Sequence, residues 1–188
     1  MDSNDFENVD KCEQKQYFLN FLLKYQPLPP DSEITEDELL IYDKSRFFFE
    51  NNPCASCIPL FLNSFGEGSG FGVYQLIDSV IRKFSMDEVV GHLIKALTNK
   101  QGSIQYWCIQ ITVDFPHASL IPILESLLYV NETNYCDATD IKSAVITTLE
   151  AFTFKEPDKS LEIRNIFLKF IDRETDLDLI EKTKECLL

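Results

Sequence analysis

The chain has 188 residues, 45% of them hydrophobic and 12% aromatic, enough to bury a sizeable core as one domain or one continuous stack of repeats. It carries 17 basic against 31 acidic residues, a net charge of −14. A field of that sign repels phosphate, which disfavours direct binding to nucleic acid or an anionic membrane and favours capture of a basic protein.

No run reaches the roughly 20 apolar residues of a membrane helix. The opening "MDSNDFENVD" is acidic and polar where a secretory signal is basic and then apolar, so a folded cytoplasmic protein is expected. The charge is uneven: residues 1–50 hold 5 basic and 12 acidic groups, 51–117 hold 4 and 5, and 118–188 hold 8 and 14. Two acidic ends therefore flank a nearly neutral middle. The six cysteines (12, 54, 57, 108, 136 and 186) are scattered and imply no disulfide framework.

Apolar residues recur at helical spacing almost throughout, and no segment alternates convincingly as a strand. The first helix is expected over 11–25, with Tyr17, Phe18, Phe21, Leu22 and Tyr25 on one stripe, ending before Pro27, Pro29 and Pro30. A second starts near Thr35, which has Glu38 in capping-box position. Asn52 as N-cap and Pro53 at the first helical position then open a helix to about Phe65, stopped by the glycines at 66, 68, 70 and 72. Further helices follow over 72–84, 86–98, 103–115 (after the turn "NKQGS"), 118–129, 138–153 (after a polar loop 131–137), 157–171 and 176–188. About ten helices result.

Neighbouring helices pair as 54–84, 86–115, 118–153 and 158–188, and the second members share a register. A 31-residue offset brings Val73, Leu76, Ile77, Val80, Ile81 and Phe84 onto Ile104, Trp107, Cys108, Ile111, Thr112 and Phe115. The same pattern returns as Ile141, Ala144, Val145, Thr148, Leu149 and Phe152, and the first members share the character of "CIPLFLNSF", "VGHLIKAL" and "LIPILESLL". The stretch 89–128, "VVGHLIKALTNKQGSIQYWCIQITVDFPHASLIPILESLL", resembles a HEAT-type repeat, and the resemblance extends with less force over 54–188. It implies a single all-α domain, an α-α superhelix in which residues 1–52 form capping helices and 53–188 form about four pairs, since no single pair buries its own apolar face.

Cys54-Ala55-Ser56-Cys57 is a C-x-x-C at the start of a helix, where amides favour a thiolate. No second C-x-x-C or His pair completes a metal site, and no strand precedes it, so packing is the expected role. His92 and His117 have no Cys or second His at ligand spacing, and "GEGSGFG" at 66–72 joins two helices without the strand or Lys-Ser/Thr of a phosphate loop, so a flexible turn is expected there. The carboxylates Asp176, Asp178, Glu181 and Glu185, and the run "DSEITEDE" at 31–38, are expected as solvated faces. No metal or cofactor is expected.

In HEAT-like repeats the second helices line the concave surface. On that resemblance Gln105, Tyr106, Gln110 and Asp114, with Gln75 and Asp78 on the preceding second helix, are the expected partner-binding residues, and Trp107 is expected in the core. An all-helical chain without a catalytic constellation is expected to act by binding a protein. Small and acidic, it resembles the HEAT-like helical immunity proteins of bacterial contact-dependent growth inhibition. That resemblance implies a non-enzymatic inhibitor that binds a cognate toxin domain, often a basic nuclease. A scaffold or adaptor holding a peptide or subunit in its groove is the alternative. A HEAT-like DNA glycosylase would need a basic face, and residues 51–117 hold only Arg82, Lys83, Lys95 and Lys100.

Overall fold

The structure, a computed structural model, describes residues 10–98, 102–130 and 138–188. The loop 131–137 with Cys136, and residues 99–101 of the "NKQGS" turn, lie outside the described residues. Among the described residues there are ten α-helices and no strand, and no helix is long and apolar enough to cross a membrane. The contacts gather into two compact units, Met1–Ser85 and Met86–Leu188, divided between the first and second expected helix pairs.

In the first unit, α1 (Lys11–Lys24) packs on α2 (Glu36–Asn51). The predicted capping box opens α2: the Thr35 hydroxyl accepts from the Glu38 amide at 3.2 Å, and the Glu38 carboxylate accepts from the Thr35 amide at 3.0 Å. The next two expected helices are mostly lost. Asn52 ends α2 instead of opening a new helix, its amide donating to the Phe48 carbonyl at 2.8 Å. A 3₁₀ turn at Ala55–Cys57 then leads into the five-residue α3 (Ile58–Leu62). Likewise 72–84 resolves into 3₁₀ turns at Gly70–Gly72 and Tyr74–Leu76 before the short α4 (Ile77–Ile81).

The glycines carry positive φ at 68, 70 and 72, which shortens any helix that would start among them. Leu76, placed in the core by the repeat alignment, is exposed as a result. The core itself is aromatic. Tyr42, fully buried, meets Phe61 and Tyr74 edge to face, each at 5.8 Å, and its hydroxyl shares a 2.8 Å hydrogen bond with Ser64. Tyr74 in turn packs on Phe65, and its hydroxyl accepts from the Gly66 amide at 3.1 Å, so both buried phenols are satisfied.

The second unit follows the expected register closely. It comprises α5 (Met86–Leu97), α6 (Gly102–Thr112), α7 (Ile121–Leu127), α8 (Ala138–Lys155), α9 (Ser160–Ile171) and α10 (Leu177–Glu185). Asp176 caps α10 through the amides of Asp178 and Leu179, so one member of that acidic run is structural. Helix α8 is central: it packs on α6, α7, α9 and α10, and all six of its register residues are buried. The Thr148 hydroxyl, buried there, donates to the Ile109 carbonyl of α6 at 3.3 Å.

One ion pair closes this unit. Lys142 of α8 donates to Glu174 at 2.7 Å, with only 14% and 9% of the two side chains exposed. Burial pushes the Glu174 carboxyl up, but the hydrogen bond from Lys142 and those from the Asp176 and Thr175 amides outweigh it and hold the group below the usual carboxylate range. A folded-state pKa depressed in this way adds stability above the unfolded value that is lost as pH falls through the folded one. Glu174→Gln should therefore lower the melting temperature at pH 7, by about 1–3 kcal/mol in stability. The gap from wild type should close as both are titrated to about pH 3, followed by circular dichroism.

Candidate functional site

Three residues in a row, Gly70, Phe71 and Gly72, adopt left-handed backbone, with φ of 56°, 50° and 94°. Phe71 is the only non-glycine residue with positive φ among those described, and the residue is 67% exposed. A β-carbon in this conformation costs roughly 1–2 kcal/mol, and no burial of the ring offsets it.

The turn expected to be flexible is pinned. Asp31 accepts from the amides of Ser69 and Gly70, both at 2.9 Å, and from the Ser69 hydroxyl at 3.3 Å. The Asp31 amide donates to the Glu67 carbonyl at 3.0 Å, and the Leu28 amide to the Ser64 carbonyl at 2.9 Å, so 28–31 runs beside 64–67. Behind the loop, a β-carbon at Gly70 would lie 2.6 Å from the Tyr74 ring. Only glycine lets the backbone seat directly on that buried phenol. Asp31, read in the sequence as part of a solvated acidic face, is thus the clamp of this turn.

Beyond the clamp, the 3₁₀ turn at Tyr74–Leu76 presents Gln75 and Leu76, both exposed, the latter at 46%. Asp78 follows, half-buried and paired with Arg82 at 2.8 Å. Phe71, Gln75, Leu76 and Asp78 therefore occupy one short ledge of the first unit. Two apolar side chains beside amide and carboxylate groups are the composition of an interface anchor.

The expected residues of α6 fare unequally, because α6 lies between α5 and α8 and is buried on two sides. Gln105 is a correction: it is buried, 8% exposed, and its side-chain amide donates to the Leu97 carbonyl at 3.0 Å, satisfying the C-terminal end of α5. Trp107, expected in the core, is only half-buried, and Tyr106, also half-buried, meets it edge to face at 5.4 Å. Gln110 is exposed. Asp114 is half-buried and sits 3.8 Å from Lys155, which also donates to the Val113 carbonyl at 2.7 Å.

The cysteines divide. Cys57 is buried against the core as expected, and burial pushes its thiol up to about 12. Cys54 is half-buried and stands just ahead of the 3₁₀ turn. His117 is exposed and caps the 3₁₀ turn at Ala118–Leu120 by accepting from the Ser119 amide at 3.2 Å. His92 is half-buried, with burial and then Lys95 holding its imidazole below the usual value. Among the described residues no group of three or more His, Cys, Asp or Glu is placed to hold a metal ion.

Phe71 escapes periodicity because it sits inside a glycine run that reads as linker. The signal was there: an aromatic residue among glycines has no helix or strand to bury it. No family model matches the chain, and neither a curated protein nor a solved structure matches it.

If Phe71 is held in a left-handed conformation for exposure rather than for packing, Phe71→Gly should leave the melting temperature unchanged or raise it by about 1 kcal/mol equivalent. Asp31→Ala removes three hydrogen bonds and should lower it by about 1–3 kcal/mol. Both are read by thermal unfolding, and a destabilised Phe71→Gly would mean that the ring packs.

Proposed function

We propose that this chain is a protein-binding immunity protein, which neutralises a basic toxin domain of a bacterial toxin system by covering its active surface. The observation that carries the reading is Phe71: an aromatic ring held out of the core, in a costly backbone conformation, by a clamp of three hydrogen bonds. Strain of this kind persists where function uses it. A ring fixed before binding loses little entropy on contact, which makes it an efficient anchor.

The net charge of −14 supports a basic partner, captured quickly through the long-range field and then held by apolar contacts. The HEAT-like superhelix is part of the same proposal. It draws support from the packing of the second members of successive pairs, α6 on α8 and α8 on α10. Around the ledge, Gln75, Leu76 and Asp78 supply the polar and apolar contacts, and Gln110 and Tyr106 of α6 remain proposed contacts of the second unit.

The test is co-expression with the product of the adjacent reading frame, scored as growth. Wild type should rescue growth and co-purify with that product in a complex whose association slows as salt rises. Phe71→Gly combined with Leu76→Asp should weaken the complex by roughly 2 kcal/mol or more without altering the melt. Absence of toxicity, or of rescue, would refute the immunity reading. Full rescue by the double variant would move the contact away from this ledge.

A further inference from the structure

In the acidic first fifty residues, cationic side chains gather in one place. Lys11, Cys12, Lys15 and Cys54 line a cavity of about 370 Å³, with Phe48 and Pro53 supplying apolar wall. A second cavity of about 470 Å³ shares Lys11, Phe48 and Asn52 with it and adds Lys44 and Arg46. Four of the five basic residues among the first fifty thus surround two adjoining hollows. Arg46 is neutralised there by Asp43 at 2.6 Å and Glu50 at 2.8 Å. Among the described residues Lys11 reaches the neutral Asn52 side chain, at 3.4 Å.

Lys15 lines the same cavity wall as Cys54. Burial alone raises the Cys54 thiol, but hydrogen bonds from the Lys15 ammonium and from the Ser56 amide and hydroxyl leave it below the usual value. Burial drives Cys57, Cys108 and Cys186 in the opposite direction, Cys186 to about 11. A half-buried sulfur, two ammonium groups and a second thiol lining one cavity, with room for a small molecule, together make a reactive site.

We propose that Cys54 is a covalent modification site, where its sulfur forms a mixed disulfide with a small anionic thiol of the glutathione class whose carboxylates are received by Lys11 and Lys15. The co-reactant is the disulfide form of that thiol. The Cys54 thiolate attacks one of its sulfurs, a new S–S bond forms to Cys54, and the old S–S bond breaks. The second thiol departs as thiolate with the bonding pair. Cys54 is oxidised, the small disulfide is reduced, and no proton is required of the protein. Cys57, next in the C-x-x-C, is a poor resolving thiol because it is buried in protonated form, so the adduct persists until an external thiol removes it. This inference stands on the first unit alone and is independent of the binding function proposed above.

The full folded chain, freshly reduced, is exposed to oxidised glutathione or to the cationic disulfide cystamine, and adducts are located by peptide mass mapping over time. With glutathione, Cys54 should react roughly tenfold faster than Cys186, and ahead of Cys12. An ordinary thiol on a protein of this charge should prefer cystamine, so the preference for the anionic reagent at Cys54, fading with added salt, marks the lysine rim. Lys15→Met should slow the Cys54 reaction several-fold while leaving the rate at Cys186 and the melting temperature unchanged. Faster modification of Cys12, an unchanged rate in Lys15→Met, or a Cys54–Cys57 disulfide with no retained glutathione would each overturn the proposal.

Discussion

A single carboxylate, Asp31, sets the path of the chain across the first unit. By accepting from two consecutive amides and a hydroxyl of Ser69 and Gly70, it fixes a turn that helix propensity cannot form. From that turn follow the left-handed run through Phe71, the seat of Gly70 on Tyr74, and the delayed start of α4. Tyr74 is joined to Tyr42 and Phe65 in the aromatic core, so the clamp and the core belong to one network. The exposed ring is thus tied to the buried aromatic core of its unit, as a preformed binding element requires.

The second unit is organised differently, by a helix. Helix α8 touches four others and buries one full stripe, and its partners are held by apolar contact with a few directional bonds. Lys182 of α10 donates to Ser143 at 2.7 Å, and the Lys142–Glu174 pair closes the turn before α10. Here the sequence was legible. Helical periodicity places α5 to α10 within a few residues, because amphipathic helices leave strong local signals.

Legibility failed where tertiary contacts override local pattern. Over 53–81 the apolar spacing is helical, yet the glycine turns and Asp31, 38 residues from Ser69 in sequence, break two expected helices into 3₁₀ turns. Gln105 looked like a surface residue because nothing in the sequence shows that the Leu97 carbonyl needs a donor. Gln75 and Asp78 of the candidate ledge follow from their place in the repeat alone, and Phe71, its principal residue, has no periodic signal. Local pattern makes the C-x-x-C a packing element, and the structure divides it: Cys57 packs, while Cys54 lines a cavity with Lys15, a neighbour supplied by α1.

The central claim is that the Phe71 ledge is where a basic protein docks. Replacing Phe71 with the photo-crosslinking residue p-benzoylphenylalanine, and irradiating living cells, tests it directly, with the same residue at Leu161, which is 71% exposed, as control. The account predicts one discrete cross-linked species at position 71, containing a protein of net positive charge, with no such species at 161. No species at 71, or the same species at both positions, would contradict it.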